Sequence, residues 1–324
     1  MVRKLLMASV AATAIAGSAF AADLPSRRPP PPAFIPPPVM TWQGFYVGIN
    51  GGGLWSNSRT ITTTGTNFGV PFAPFAPFSA AAALASTNTF GNGNNNNRIG
   101  FLGGVQWGYN WQWNQIVLGT ESDFQGTFDG CRGNNNNNGL FGGNNNGCFV
   151  TGVGIAPIDA TGLSMITQQS VERRMDYFGT SRVRAGFLVT PTLLVYATGG
   201  AAYGHIRTTS VISTNVLGIP AGVVIPGVSV FNDTRLKAGF TAGGGLEWMF
   251  LPNWSVKAEA LYYDLGRTTF NQNFVQTLGP GGLGIALSNT GTQTSFRNNG
   301  VIARAGLNYH FNWGGPPAAV VARY

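Results

Sequence analysis

The sequence predicts an all-β fold: an eight-stranded antiparallel up-and-down transmembrane β-barrel with four long extracellular loops. Three observations predict it. Charged residues make up 9% of the 324 residues and aromatic residues 12%, whereas soluble domains carry about 25% charge. Beyond the first twenty-odd residues no apolar run approaches the roughly 18 residues that a membrane helix needs. Eight stretches alternate apolar and polar residues with period two, and the connections between them are short and long by turns.

Residues 1–21 read as a secretory signal peptide. Arg3 and Lys4 form the basic start, Leu5 to Ala16 the apolar stretch, and Ala19-Phe20-Ala21 the small-x-small site, so cleavage falls between Ala21 and Ala22. Residues 22–41 form a proline-rich periplasmic arm with Pro29 to Pro32 and Pro36 to Pro38. Proline fixes φ and removes a donor, which favours extended polyproline II. The arm reads either as a spacer or as a contact with peptidoglycan or other envelope proteins. The formal charge is +8, but the basic residues form no stripe, so no nucleic-acid partner is expected.

The eight alternating stretches lie at roughly 42–55, 98–111, 115–126, 174–188, 193–206, 235–250, 254–266 and 299–311. Tight connections fall around Gln112-Trp113-Asn114, Thr190-Pro191-Thr192 and Pro252-Asn253. Long ones cover roughly 56–97, 127–173, 207–234 and 267–298. An outer-membrane barrel has this asymmetry, with short periplasmic turns and long external loops. Along residues 299–311, Val301, Ala303, Ala305, Leu307, Tyr309 and Phe311 alternate with Arg304, Gly306, Asn308 and His310. One face suits hydrocarbon and the other does not. A soluble barrel would show the same alternation inverted, but tryptophan placement favours lipid. Trp42, Trp111, Trp113, Trp248, Trp254 and Trp313 gather at the short-turn ends, as an interfacial girdle requires.

On the polar face the alternation places Glu121, Asp123, Asp176, Arg182, Arg184, Glu247, Lys257, Glu259 and Arg304. A narrow barrel is filled by its side chains, and isolated charges inside it are costly. A crossed network of ion pairs is therefore expected. It reads either as a plug or as the filter of a small channel. Cys131 and Cys148, in the second long loop, read as a disulfide in an oxidising compartment; the alternative is a pair of free thiols. The Asn runs at 94–97, 134–138 and 144–146 are low-complexity tracts. Phe72, Phe75 and Phe78 in the first long loop either fold over the barrel mouth or face lipopolysaccharide or a neighbouring barrel. Two histidines, His205 and His310, on different strands make no metal site, and His205 points outward without an apparent partner. No cofactor and no enzymatic activity are expected.

The segments WQGFYVGINGGG (42–53), FLGGVQWGYNWQ (101–112), GTESDFQG (119–126), DYFGTSRVRAGF (176–187), LLVYATGGAAYG (193–204), PNWSVKAEALYYDLG (252–266) and VIARAGLNYHF (301–311) occur in this order. Together they resemble the porin-like outer-membrane immunogenic proteins of alphaproteobacteria, over nearly all of 42–311. The resemblance implies an eight-stranded barrel at 42–311 in the outer membrane, reached through the periplasm. It implies a structural and surface-antigen role that supports envelope integrity, with at most weak pore activity for small solutes. Outer-membrane lipid and lipopolysaccharide are the implied surroundings. Tyr309 and Phe311 look like the aromatic ending that the barrel-assembly machinery reads, although a C-terminal extension, 312–324, follows them. The other role considered is a loop-mediated receptor or adhesin for a small ligand such as haem, or for a host or phage component.

Overall fold

A computed structural model describes residues 41–56, 60–70, 73–91, 99–128, 149–158, 162–219, 224–278 and 285–311. The signal peptide with Ala21 and Ala22, residues 22–40 of the proline arm, Phe72, the Asn runs, Cys131, Cys148, Trp313 and the extension 312–324 lie outside the described residues.

Twelve strands occur among the described residues: β1 (Gly44–Ser56), β2 (Thr60–Asn67), β3 (Asn88–Gly91), β4 (Ile99–Trp113), β5 (Ile116–Phe128), β6 (Phe149–Pro157), β7 (Ser164–Thr190), β8 (Leu193–Leu217), β9 (Val224–Ile225), β10 (Gly227–Leu251), β11 (Trp254–Leu278) and β12 (Ala286–Phe311). Their order in the sheet is β3-β2-β12-β1-β4-β5-β7-β8-β10-β11-β9, with β6 on β7 and a further pairing of β11 with β12. Every pairing is antiparallel.

The expectation that the long connections are loops without strands of their own is corrected here. The strands β2, β3, β6 and β9 form inside the segments read as loops, and β7, β8, β10, β11 and β12 run well beyond the expected limits. The physical reason lies in composition. In the upper part of β7, for example, Met165, Thr167, Gln169 and Val171 face the interior. Thr and Gln pair well across strands, but they give no contrast between an oily and a polar face, so the hydrophobic pattern did not mark them.

The tight turns keep their expected places, between β4 and β5, β7 and β8, and β10 and β11. Asn114 takes φ 53° in the first, a left-handed conformation that asparagine tolerates better than most residues. Exposed Ile49, Phe101, Val105, Trp107, Leu118, Val183, Phe187 and Leu246 line the outer face.

The buried face is layered along the strands. Beside the short turns, Trp42, Val117, Leu188, Leu194, Tyr196 and Met249 form an apolar cluster. Farther along, Leu54, Leu102, Phe178, Ala202, Ile206, Leu261, Tyr263, Leu265 and Ile302 form a second. Ile61, Val171, Phe270 and Phe296 form a third. Leu194 and Ala202, on the buried face of β8, belong to the first two layers.

The first long connection contains a helix, α1 (Ala76–Ser86), after one 3-10 turn at Ala73–Phe75. Alanine is the best helix former, and a proline sits in its first turn, where no donor is lost. Ala81, Ala82 and Ala85 pack with Ala156, Met165, Val216 and Leu287, and Phe75 and Phe78 pack against the same cluster. Those two rings are therefore turned into the protein.

Adjacent glycines on β4 give a test of which face is crowded. A Cβ on Gly104 would collide with the Phe124 carbonyl and lie 2.7 Å from Gln125 Cα, whereas on Gly103 its nearest neighbour is Asn50 O at 3.6 Å. Gly104→Ala is expected to cost about 1–3 kcal/mol as overpacking and Gly103→Ala little. The temperature at which the folded species disappears from an unboiled detergent gel measures both.

Candidate functional site

Alternation on five strands aims charged side chains into one buried layer. Glu121 and Asp123 come from β5, Arg182 and Arg184 from β7, Glu247 from β10, Lys257 and Glu259 from β11, and Arg304 from β12. All eight are at most 5% exposed. Four carboxylates meet four cations, so the layer is neutral as a set.

The pairs do more than join neighbouring strands. Glu121 lies opposite Arg182 in register, and Arg182 Nη2 is 2.5 Å from Glu121 Oε1. Arg182 also reaches Asp123 at 3.1 Å and Glu259 at 3.1 Å. Lys257 Nζ lies 2.6 Å from Glu121 Oε1, and Arg304 Nη2 lies 2.7 Å from Asp123 Oδ2. Strands β11 and β12 are not neighbours of β5 in the sheet, so these contacts cross the interior. Arg304 further pairs with Glu259, its register partner. Arg184 completes the layer, 2.7 Å from Glu247 and 3.3 Å from Glu121.

Neutral groups satisfy the remaining lone pairs, and most of them had no assigned role in the sequence. Tyr46 donates to Glu121 at 2.7 Å and Tyr196 to Glu259 at 3.1 Å. The guanidinium of Arg184 sits between these two rings, 5.3 Å and 4.7 Å from their centroids. Thr180 donates to Asp123 at 2.6 Å, and Asn308 and Ser255 donate to Glu247 at 2.7 Å and 2.6 Å. The signal was available for Asn308 and His310, which share the parity of Arg304. For Tyr46 and Tyr196 aromatic character masked it, since an aromatic residue also suits lipid.

Ser255, His310 and Glu247 lie together, with Ser255 Oγ 2.8 Å from His310 Nε2. A hydrolytic triad needs the carboxylate on the far imidazole nitrogen. Here Glu247 accepts from the serine and lies 3.4 Å from the same Nε2, an arrangement that binds the carboxylate rather than activating the hydroxyl.

Two predicted site residues are corrected. Asp176 does not join the layer. The β7–β8 register shifts between Met175 and Tyr177, and a bulge re-aims the side chain it carries. Asp176 Oδ2 instead lies 3.0 Å from His205 Nδ1 and 3.5 Å from Arg207. His205 thus has a partner, and it stacks on Tyr177 with centroids 5.0 Å apart. Trp42 does not join the girdle. It is fully buried, donates Nε1–H to the Pro191 carbonyl at 3.1 Å and packs edge-on against His310. Preceding β1, it is free to fold inward and close the short-turn end. Trp111, Trp113, Trp248 and Trp254 are exposed at that end. Tyr309 packs on Trp254 and Phe311 at 5.1 Å each, and Phe311 lies opposite Phe45 in register.

No family model matches the chain. Over 266 residues it is 34% identical to the 31 kDa outer-membrane immunogenic protein of Brucella melitensis, covering 82% of this chain and 88% of that one. The chain belongs to the outer-membrane immunogenic protein family. A protein of the same description from Brucella suis matches to the same extent. The 22 kDa outer membrane protein of Rhizobium leguminosarum is 25% identical over 200 residues, 60% of this chain and 69% of its own length. Among solved structures, Pseudomonas aeruginosa OprG aligns at 9% identity and TM-score 0.34, over 83% of this chain and 96% of that chain. Yersinia pestis Ail aligns at 12% and 0.25, over 81% and 99%. Scores this low carry no argument.

This family member is exported through the periplasm to the outer membrane of the Gram-negative envelope, where its role is structural and antigenic. Among the described residues no three His, Cys, Asp or Glu side chains are placed to hold a metal ion.

Removing one partner from a buried ion pair leaves an uncompensated charge. Arg182→Met strands three carboxylates and is expected to cost about 3–5 kcal/mol, read as an earlier loss of the folded gel species. Half-buried Ser122→Ala on the same strand as Glu121, where the hydroxyl meets Ser181 Oγ at 3.1 Å and no charged group, is the control and should change little.

Proposed function

We propose that β1, β4, β5, β7, β8, β10, β11 and β12 close into an eight-stranded transmembrane barrel that is sealed along its axis and anchors a surface-displayed β extension. Closure is supported by the pairing of β12 with β1 through Phe45↔Phe311 and with β11 through Trp254↔Tyr309. It is supported as well by the ion pairs that join strands far apart in the sheet. The exposed apolar side chains then face lipid and the charged layer occupies the lumen.

The observation that carries the sealed reading is the layering. On β7 the order along the strand is Leu188, the Arg184–Arg182 pair, Phe178, Val171 and Met165. The ionic layer is thus bounded on both sides by apolar packing. An ion moving along the axis would have to leave water, cross a dry layer and displace paired charges, each a step of high cost. The charges act as a plug that holds opposite walls together, rather than as a filter. Above them α1 and its apolar contacts fill the outer end.

The product of this design is a rigid membrane anchor for long external strands, which present the antigenic surface and support the envelope. Cleavage between Ala21 and Ala22, a Cys131–Cys148 bridge in an external loop and reading of Tyr309 and Phe311 during assembly belong to the same proposal.

Reconstituted in planar bilayers, the mature protein is expected to stay at the baseline of protein-free membranes. Neutralising Arg182 and Arg184 together should produce measurable conductance in the fraction that still folds. Steady single-channel openings by the unaltered protein would refute the sealed reading, and identical gel mobility before and after boiling would refute the barrel.

A further inference from the structure

The geometry points to a binding site for the phosphates of lipid A, the anionic glycolipid of the outer leaflet, on the outer face of β7, β8, β11 and β12 just above the apolar belt. It rests on the proposed barrel orientation. Arg174 of β7 and Arg207 of β8 are direct partners in register, as are Arg267 of β11 and Arg297 of β12. All four are exposed. Like charges directly opposite each other on one face of a sheet repel, and two such pairs flank β10. An arrangement of this kind is stabilised by an anion held between the guanidinium groups, which match phosphate oxygens in a bidentate manner.

The distribution of charge over the molecule supplies a second, independent argument. Of the eleven Lys and Arg residues among the described ones, Arg182, Arg184, Lys257 and Arg304 are sealed in the ionic layer. The other seven, Arg173, Arg174, Arg207, Arg235, Lys237, Arg267 and Arg297, all lie at the long-strand end. The short turns at Asn114-Gln115, Pro191-Thr192 and Pro252-Asn253 carry none. Among the described residues the acidic ones at that end are Glu172, Asp176, Asp233 and Asp264, four against seven basic.

Among the described residues those carboxylates take one arginine of each pair, Arg207 and Arg297, and leave Arg174 and Arg267 without an acidic partner. Asp176 is shared by His205 and Arg207, at 3.0 Å and 3.5 Å, and Asp233 pairs with Arg235 at 2.7 Å. Asp264 holds Arg297 through its Nε–H at 2.9 Å, which orients that guanidinium. The rim also has the right height. Tyr177 and Tyr262 sit on the membrane side of the arginines, with Val183, Phe240 and Val301 beyond them, so acyl chains against the belt would bring phosphates level with the arginine pairs. Tyrosine at this level is typical of a membrane interface.

The test uses the full mature protein, folded in detergent and checked by its heat-modifiable mobility. Binding of bisphosphorylated lipid A is compared with binding of the same lipid after phosphatase treatment, and of inorganic phosphate alone. The double variant Arg174→Gln/Arg267→Gln is expected to bind bisphosphorylated lipid A about thirtyfold more weakly, from the attraction of two basic residues to an anionic membrane surface. Arg174→Lys/Arg267→Lys should keep most of the affinity. Dephosphorylated lipid should bind the unaltered protein as weakly as bisphosphorylated lipid binds the Gln variant. Equal binding by the folded Gln variant, or equal binding of the dephosphorylated lipid, would overturn the assignment. So would inorganic phosphate binding as tightly as lipid A, because the site would then read a free anion. A folded barrel that fails to bind sinks this site alone, whereas a protein with no heat-modifiable form sinks the barrel reading first.

Discussion

A charged group cannot face hydrocarbon, and that constraint organises this molecule. Each charge within the belt-bearing parts of the strands is turned to the buried face and paired there. Closed as proposed, the sheet has room for one interior layer of side chains at each level, and the acids of β5 meet the bases of β7, β11 and β12 there. Arg182 illustrates the economy. Its guanidinium touches Glu121, Asp123 and Glu259, so one side chain ties together three strands that are not all neighbours. Such a layer gives little net stability over a dry core. What it gives is a single register, since a slip of one residue would turn the charges toward lipid.

The rest of the interior follows from keeping that layer dry. Trp42 folds in under it from the short-turn end, and Phe178, Tyr263 and Ile302 cover it from the other side. Farther out the walls continue as strands whose interior residues are largely Thr, Gln and Ser. Thr63, Gln169 and Thr294 are joined there by hydrogen bonds of 2.7–3.0 Å. In the proposed orientation these parts stand outside the membrane, where polar groups carry no penalty in lipid contact, so the composition relaxes while the strand geometry persists. The alanine-rich helix α1 fits there because small side chains allow close approach to the walls. The proposed anchor and display surface are thus one continuous sheet.

Much of this was legible in the residues. The tight turns, the two faces of the belt strands and the eight charges of the layer all follow from period-two alternation, which has a strong signal where one face must meet lipid. Three features were not legible, each for a distinct reason. The external strands hid because both of their faces meet polar surroundings. The position of Asp176 was misread because a bulge after Met175 shifts the phase of β7, and nothing local marks the extra residue. The role of Trp42 was misread because an aromatic residue next to a strand end suits an interface and a plug equally well.

Composition and alternation decided, before any folding, that this chain would be an antiparallel β protein with an oily outside and an ionic inside. Those are demands of solvent on each residue separately, and they can be read one strand at a time. The choice of partners could not be. Lys257 lies opposite Glu247 in register yet extends to Glu121 on a distant strand, and Arg304 reaches Asp123 in the same way. Which cation neutralises which anion depends on the curvature that brings far strands face to face, and curvature belongs to the assembled sheet.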